Sequence, residues 1–143
     1  MTTPPEDPLN PVDALVQLSF LVQGILSAAG AEQDLSITQV RLLGVLRDRQ
    51  AGMLELGRHL GLDKSSMTGL VTRAEKRGLV QRSPSPHDGR AVLVSLTPFG
   101  RRLTEDCGAE IGRRVIALTE HLSPERRAQL TELATALVRP SHV

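Results

Sequence analysis

The 143-residue sequence has no tryptophan, no tyrosine and two phenylalanines, Phe20 and Phe99, so a planar ligand finds few rings on which to stack. Its single cysteine, Cys107, excludes an internal disulfide, and a lone cysteine in a helical stretch reads as a small buried hydrophobe. No glycine-rich phosphate loop, paired-carboxylate motif, nucleophile elbow or metal motif occurs, which argues against an enzyme and against a cofactor. The histidines His59, His87, His121 and His142 lack the short spacing of zinc ligands. No apolar run is expected to approach the roughly 18 residues that cross a bilayer. The acidic, proline-rich opening Met1-Thr2-Thr3-Pro4-Pro5-Glu6-Asp7 lacks the basic-then-apolar order of a secretory signal, so the expected location is the cytoplasm.

Positive charge is also missing from one end. Before Arg41 the chain holds Glu6, Asp7, Asp13, Glu32 and Asp34 and no lysine or arginine. From Lys64 to Arg90 the balance reverses, with Lys64, Arg73, Lys76, Arg77, Arg82 and Arg90 against Glu75 and Asp88. The formal net charge of +1 hides this local basic patch, which suits a polyanion but is also what a solvated face carries.

The length fits one domain with one core. Residues 1–10 read as a flexible arm, and residues 11–143 as a single domain. From Pro11 to about Ala29 apolar residues recur at Val12, Leu15, Val16, Leu18, Leu21, Val22, Ile25 and Leu26, a helix that buries more than one face and suits a subunit interface. Ser36-Ile37-Thr38-Gln39 is a capping box opening a second helix to about Arg49. A short helix over Met53–Leu60 is expected to turn Leu54, Leu56 and Leu60 inward and to end at Gly61. Asp63 then caps the next helix. A turn of about three residues makes two helices cross steeply, the corner of a helix-turn-helix.

The helix from Lys64 to Gly78 sets Met67, Leu70, Val71 and Ala74 inward. Ser65, Ser66, Thr68, Gly69, Thr72, Arg73 and Lys76 are left outward or flanking. Leu79–Arg82 and Val92–Leu96 alternate as strands around a turn-rich segment that carries His87, Asp88, Gly89 and Arg90. Thr97-Pro98 opens a long amphipathic helix stepping through Leu103, Cys107, Ile111, Val115, Leu118 and Leu122. Ser123-Pro124-Glu125 opens a last helix with an apolar seam at Leu130, Leu133, Ala134 and Leu137. The fold class is mainly α with a small β-wing, with about six helices and a two- to three-stranded sheet.

A narrow outward face of serine, threonine and glycine lets a helix enter the major groove of B-DNA, with hydroxyls reaching bases or phosphates. The helix start presents free amides to a phosphate, and Lys64 adds a full charge. Arg73 and Lys76 reach the backbone, or for Arg73 a guanine edge. Arg90 at a wing tip fits a flanking minor groove. Asp88 cannot bind phosphate and is expected to hold the side chain of Arg90 or Arg73 by a charge-assisted hydrogen bond. The DNA-binding candidates are Lys64, Ser65, Ser66, Thr68, Gly69, Thr72, Arg73, Lys76, His87 and Arg90, with Asp88 positioning the wing. The bland alternatives are capping serines and threonines and solubilising arginines.

These segments resemble the MarR-type winged helix-turn-helix regulators. The matching pieces are Leu35-Ser36-Ile37-Thr38-Gln39, Leu60-Gly61-Leu62-Asp63-Lys64-Ser65-Ser66-Met67-Thr68, Glu75-Lys76-Arg77-Gly78-Leu79-Val80, and Asp88-Gly89-Arg90 running to Leu96-Thr97-Pro98-Phe99-Gly100. The resemblance covers nearly the whole chain. It departs at Gly89, where a basic residue is common, and at Ala74, where a larger aliphatic is usual. It implies a homodimer joined by helices in 11–35 and 98–143, with a DNA-binding lobe over 36–97 that recognises a pseudo-palindromic operator on double-stranded DNA. It implies a repressor relieved by a small molecule, and Phe20, Gln17 and Arg41 are the residues offered for an effector pocket. The peroxide-sensing branch uses an N-terminal cysteine beside tyrosine hydroxyls, a pattern this chain does not have. The rival expectation from another class is a winged-helix module that binds protein instead of DNA.

Overall fold

Asn10 caps the first helix by accepting the Asp13 amide at 2.9 Å, and Pro11 fills a helical position that needs no donor. In the computed structural model, which describes residues 7–139, the order is α1 (Pro11–Ala31), α2 (Ile37–Leu46), β1 (Ala51–Gly52), α3 (Met53–Leu60), α4 (Lys64–Lys76), β2 (Val80–Pro84), β3 (Val92–Leu96), α5 (Pro98–Leu118) and α6 (Pro124–Val138). Most of the expected arm, residues 1–6, lies outside the described residues, as does His142. The chain divides into two compact units between Ile111 and Gly112.

In the first unit the three strands are antiparallel in the order β1-β3-β2, with Ala51 opposite Val94 and Val80 opposite Leu96. The period-two pattern puts Val92, Val94 and Leu96 on one face of β3, where Val94 and Leu96 enter the core and Val92, next to the wing, is exposed. Leu42 and Leu46 of α2, Leu56 of α3, Met67, Leu70 and Val71 of α4, and Leu79, Val80 and Val94 are the large side chains that fill it. Each such burial is worth about 1.5–3 kcal/mol, so the core fixes how α4 is held against α2 and α3. In the second unit α6 is capped by Ser123, whose hydroxyl accepts the Arg126 amide at 3.2 Å, and no α6 residue is buried.

Several expectations change. α2 stops at Leu46, its last buried residue, and Arg101 donates to the Arg47 carbonyl at 3.2 Å beyond it. α1 continues to Ala31 because Gly30 is small enough to pack on Val40 and Leu35, and Asp34 then turns the chain with φ 56°. Leu54 is 73% exposed. With Leu56 and Leu60 inward at i and i+4, a residue two before Leu56 must face away. β2 starts one residue late and runs to Pro84, which an edge strand tolerates because its outer amides need no partner.

α1 also overturns the expectation of no membrane-length segment. Its only charge is Asp13, and its interruptions Gln17, Ser19, Gln23 and Ser27 are too few to lower the mean hydropathy of its best window below 1.6. By length and composition alone it could cross a bilayer. Val12, Leu15, Val16, Phe20 and Leu21 are exposed, and only Ala29 and Gly30 are buried.

Candidate nucleic-acid interface

The turn between α3 and α4 depends on Gly61, whose φ of 66° places it in the left-handed region that a side chain disfavours. The Leu62 amide returns to the Gly57 carbonyl at 3.0 Å, and Asp63 accepts the Ser66 amide at 2.7 Å. That backbone hydrogen bond, with the Ser66 hydroxyl second, holds the Asp63 carboxyl below its ordinary value of 3.8. The corner that aims α4 is therefore closed by backbone geometry and one ionised cap.

Met67, Leu70, Val71 and Ala74 of α4 are buried as expected from their spacing. Lys64, Ser65, Ser66, Thr68, Arg73 and Lys76 are exposed, and Gly69 and Thr72 are half-buried on the flanks of that face. The Thr68 hydroxyl donates to the Lys64 carbonyl at 2.9 Å, which uses its proton and leaves its two lone pairs for an incoming donor. Lys64, Arg73, Lys76 and Arg90 form no side-chain hydrogen bond or ion pair among the described residues. Four cations on α4 and the wing are thus available to an anion.

The wing joins β2 to β3. His87, Asp88 and Arg90 are all exposed at its tip. The Ala91 amide donates to the Asp88 carbonyl at 3.0 Å, and the Asp88 carboxylate accepts the Arg90 backbone amide at 3.0 Å. The expected bond from Asp88 to an arginine side chain is not the one formed. Asp88 sets the backbone of Arg90 and leaves its guanidinium free to extend.

Two further features belong to this face. Arg82 on β2 donates to the Thr72 hydroxyl at 3.1 Å and lies 3.6 Å from Glu75, tying the root of the wing to α4. Strand alternation alone gives no sign of this, since it requires the register of β2 beside α4. The start of α2 also comes alongside α4. Ser36, Thr38, Leu62, Ser65, Ser66, Gly69, Leu70 and Arg73 line a shallow groove of about 390 Å³. Ser36 there completes its capping box, accepting the Gln39 amide at 3.1 Å while Gln39 accepts the Ser36 amide at 3.0 Å.

Arg77 does not join the face, because its guanidinium donates to the carbonyls of Gln33 and Asp34 in the α1–α2 turn. Cys107 is buried. Among the described residues no three of His, Cys, Asp and Glu cluster as metal ligands. Of the residues offered for an effector pocket, Gln17, Phe20 and Arg41 are all exposed.

The chain is similar in sequence and fold to known proteins. Residues 33–91 match the model of the MarR family. The transcriptional regulator FarR of Neisseria gonorrhoeae is 38% identical over 76 residues, a stretch that covers 53% of this chain and only about half, 52%, of FarR. The multiple antibiotic resistance protein MarR of Salmonella typhimurium is 34% identical over 104 residues, 70% of this chain and 71% of that protein. The crystal structure of NadR in complex with 4-hydroxyphenylacetate is 26% identical, with a TM-score of 0.77 over 99% of this chain and all of that one. With a one-third-identical MarR aligned over more than two thirds of its length and the winged helix-turn-helix reproduced, this chain belongs to the MarR family of transcriptional regulators.

Proposed function

We propose that the chain is a sequence-specific double-stranded DNA-binding repressor that acts as a homodimer in the cytoplasm, catalyses no reaction, and is released from its operator by a small organic effector. The observation that carries the reading is the set of four cations, Lys64, Arg73, Lys76 and Arg90, that have no side-chain partner among the described residues and stand on a narrow helix and an adjoining hairpin tip. α4 enters the major groove with Ser65, Ser66, Thr68, Gly69, Thr72 and Arg73 toward the bases and Lys64 and Lys76 toward phosphates. His87 and Arg90 follow the flanking minor groove, with Asp88 fixing the bend.

A second copy supplies what one chain lacks. The exposed apolar residues of α1 in the first unit are a surface a twofold partner covers, and Leu133 and Leu137 of α6 are exposed in the second. Two recognition helices about one helical turn of DNA apart, roughly 34 Å, then read a pseudo-palindrome. Relief by an effector is supported by the ligand carried by NadR, a small aromatic acid. Repression follows from a footprint that denies the operator to polymerase.

The protein-module reading is favoured by one observation, Leu54, which stands 73% exposed at the edge of an apolar groove lined also by Met53, Leu62 and Met67. The two separate in a selection of genomic duplex fragments on the full-length protein. The proposed function predicts enrichment of a short inverted repeat that competes out nonspecific DNA. No enrichment above a beads-only control contradicts it and favours the protein module.

A further inference from the structure

α4 carries a glycine in its interior, at position 69, on the helix whose outward face the proposed function uses. A glycine there weakens a helix relative to alanine because the unfolded chain has more freedom to lose. Its backbone does not call for glycine, since Gly61 and Gly78 are the glycines with positive φ. What fills the place of the missing side chain is Arg73. The Nη1 atom of Arg73 lies 3.1 Å, and its Cζ 3.9 Å, from the point where a β-carbon of Gly69 would stand. Side chains on a helix lean toward its N-terminus and meet four residues back, so the arginine lies along the helix over its own preceding turn. It borders the groove shared with Ser65, Ser66 and Thr38, and no described residue holds its guanidinium.

We propose that Gly69 determines specificity by leaving a notch in the recognition helix, in which the Arg73 guanidinium lies flat and reads a guanine edge. The inference rests on the DNA-binding reading above and adds which base is read and which residue makes that possible. A guanidinium presented side-on to a base pair donates two parallel hydrogen bonds, to O6 and N7 of guanine. A β-carbon at position 69 would stand 3.1 Å from the guanidinium, which must then give way, and the inference is that it moves toward the sugar-phosphate edge, where it holds DNA without reading it. The helix stability given up at Gly69 is then the cost of placing one donor fork.

The test uses full-length protein and the sequence it selects from random duplex DNA. Wild type, Gly69→Ala and Arg73→Lys are each measured for affinity toward that site, toward versions with each G·C pair exchanged, and for thermal melting. Gly69→Ala is expected to melt about 3 °C higher than wild type, because alanine is the better helix former. It should bind the selected site about tenfold more weakly and accept the exchange of one G·C pair per half-site that wild type rejects. Arg73→Lys should lose the same discrimination, since an ammonium is not a planar fork. Gly69→Ala binding with wild-type affinity and base preference overturns the inference, as does a loss spread evenly over all sequences. Lower melting of Gly69→Ala would assign the glycine a packing role and also overturn it. Wild type that selects no sequence defeats the DNA-binding reading, and the inference with it.

Discussion

Arg82 Nη2 donates a hydrogen bond to Thr72 Oγ1 at 3.1 Å, joining the root of the wing to the outward flank of α4. The same guanidinium lies 3.6 Å from Glu75, with the two side chains 33% and 44% exposed. Partners that wet contribute little to folding, below about 1 kcal/mol. Their consequence is geometric, since helix and hairpin must meet adjacent grooves together. Arg82→Ala is expected to move chemical-denaturation stability by less than about 1 kcal/mol while weakening operator affinity about fivefold, the scale of coupling between residues in one network. A stability loss without an affinity change would show that the pair only supports the fold.

Gly100 packs closer to neighbouring backbone than the other glycines do. A β-carbon there would stand 1.9 Å from the Leu79 carbonyl oxygen, which already accepts the Thr97 amide at 3.1 Å. Thr97 also donates its hydroxyl to Gly78 and accepts the Gly100 amide at 2.9 Å, so α4, β2, β3 and α5 meet at one knot. Gly100→Ala should cost about 3 kcal/mol, as overpacking against fixed backbone does, read by denaturant titration. Wild-type stability would mean that the α5 start can slide away from β2.

Asp63 carries a pH signature. The Ser66 amide lowers its pKa below 3.8 in the folded chain, so its stabilising effect is present above the unfolded value and is lost as pH falls through the folded one. Asp63→Asn keeps an N-cap acceptor without the charge. The melting temperature of wild type should exceed that of Asp63→Asn at pH 6, and the gap should close as pH drops below 3.8. A gap independent of pH would remove the ionised cap from the account.

Helix α1 is legible in the sequence as an apolar-striped helix suited to a subunit interface. Its apolar spacing at Val12, Leu15, Val16 and Leu21 signals a helix that must be covered, and these residues are exposed in the single chain. Local rules were sufficient where the cause is local: the Ser36 capping box, the Asp63 cap, the Gly61 turn and the inward face of α4 all appear where the sequence puts them. They failed where a distant partner decides. Leu54 faces out because Leu56 and Leu60 claim the core, α2 stops where burial stops, and Asp88 meets the Arg90 backbone instead of a side chain. Arg82 and Thr38 join the candidate interface through strand register and helix packing, which no short motif in this sequence encodes.

The dimer reading has a direct consequence for α1. Each apolar side chain buried on association contributes about 2 kcal/mol, and twofold symmetry counts every substitution twice. Leu15→Asp with Val16→Asp should therefore convert the protein to a monomer in sedimentation velocity at micromolar concentration. A dimer that persists would move the interface away from this helix, and wild type recovered only with membranes would give α1 a bilayer partner instead.

In the proposed complex Lys64, Lys76 and Arg90 lie against DNA phosphates and Arg73 against a base. Neutralised phosphates release counterions, so the logarithm of affinity falls against the logarithm of salt with a slope of about −0.9 for each contact. With Arg73 given to a base, Lys64, Lys76 and Arg90 in each of two protomers predict a slope of about −5 for the selected operator, reduced by about 2 for Arg90→Ala. A slope near zero, or one that Arg90→Ala leaves unchanged, would contradict the account.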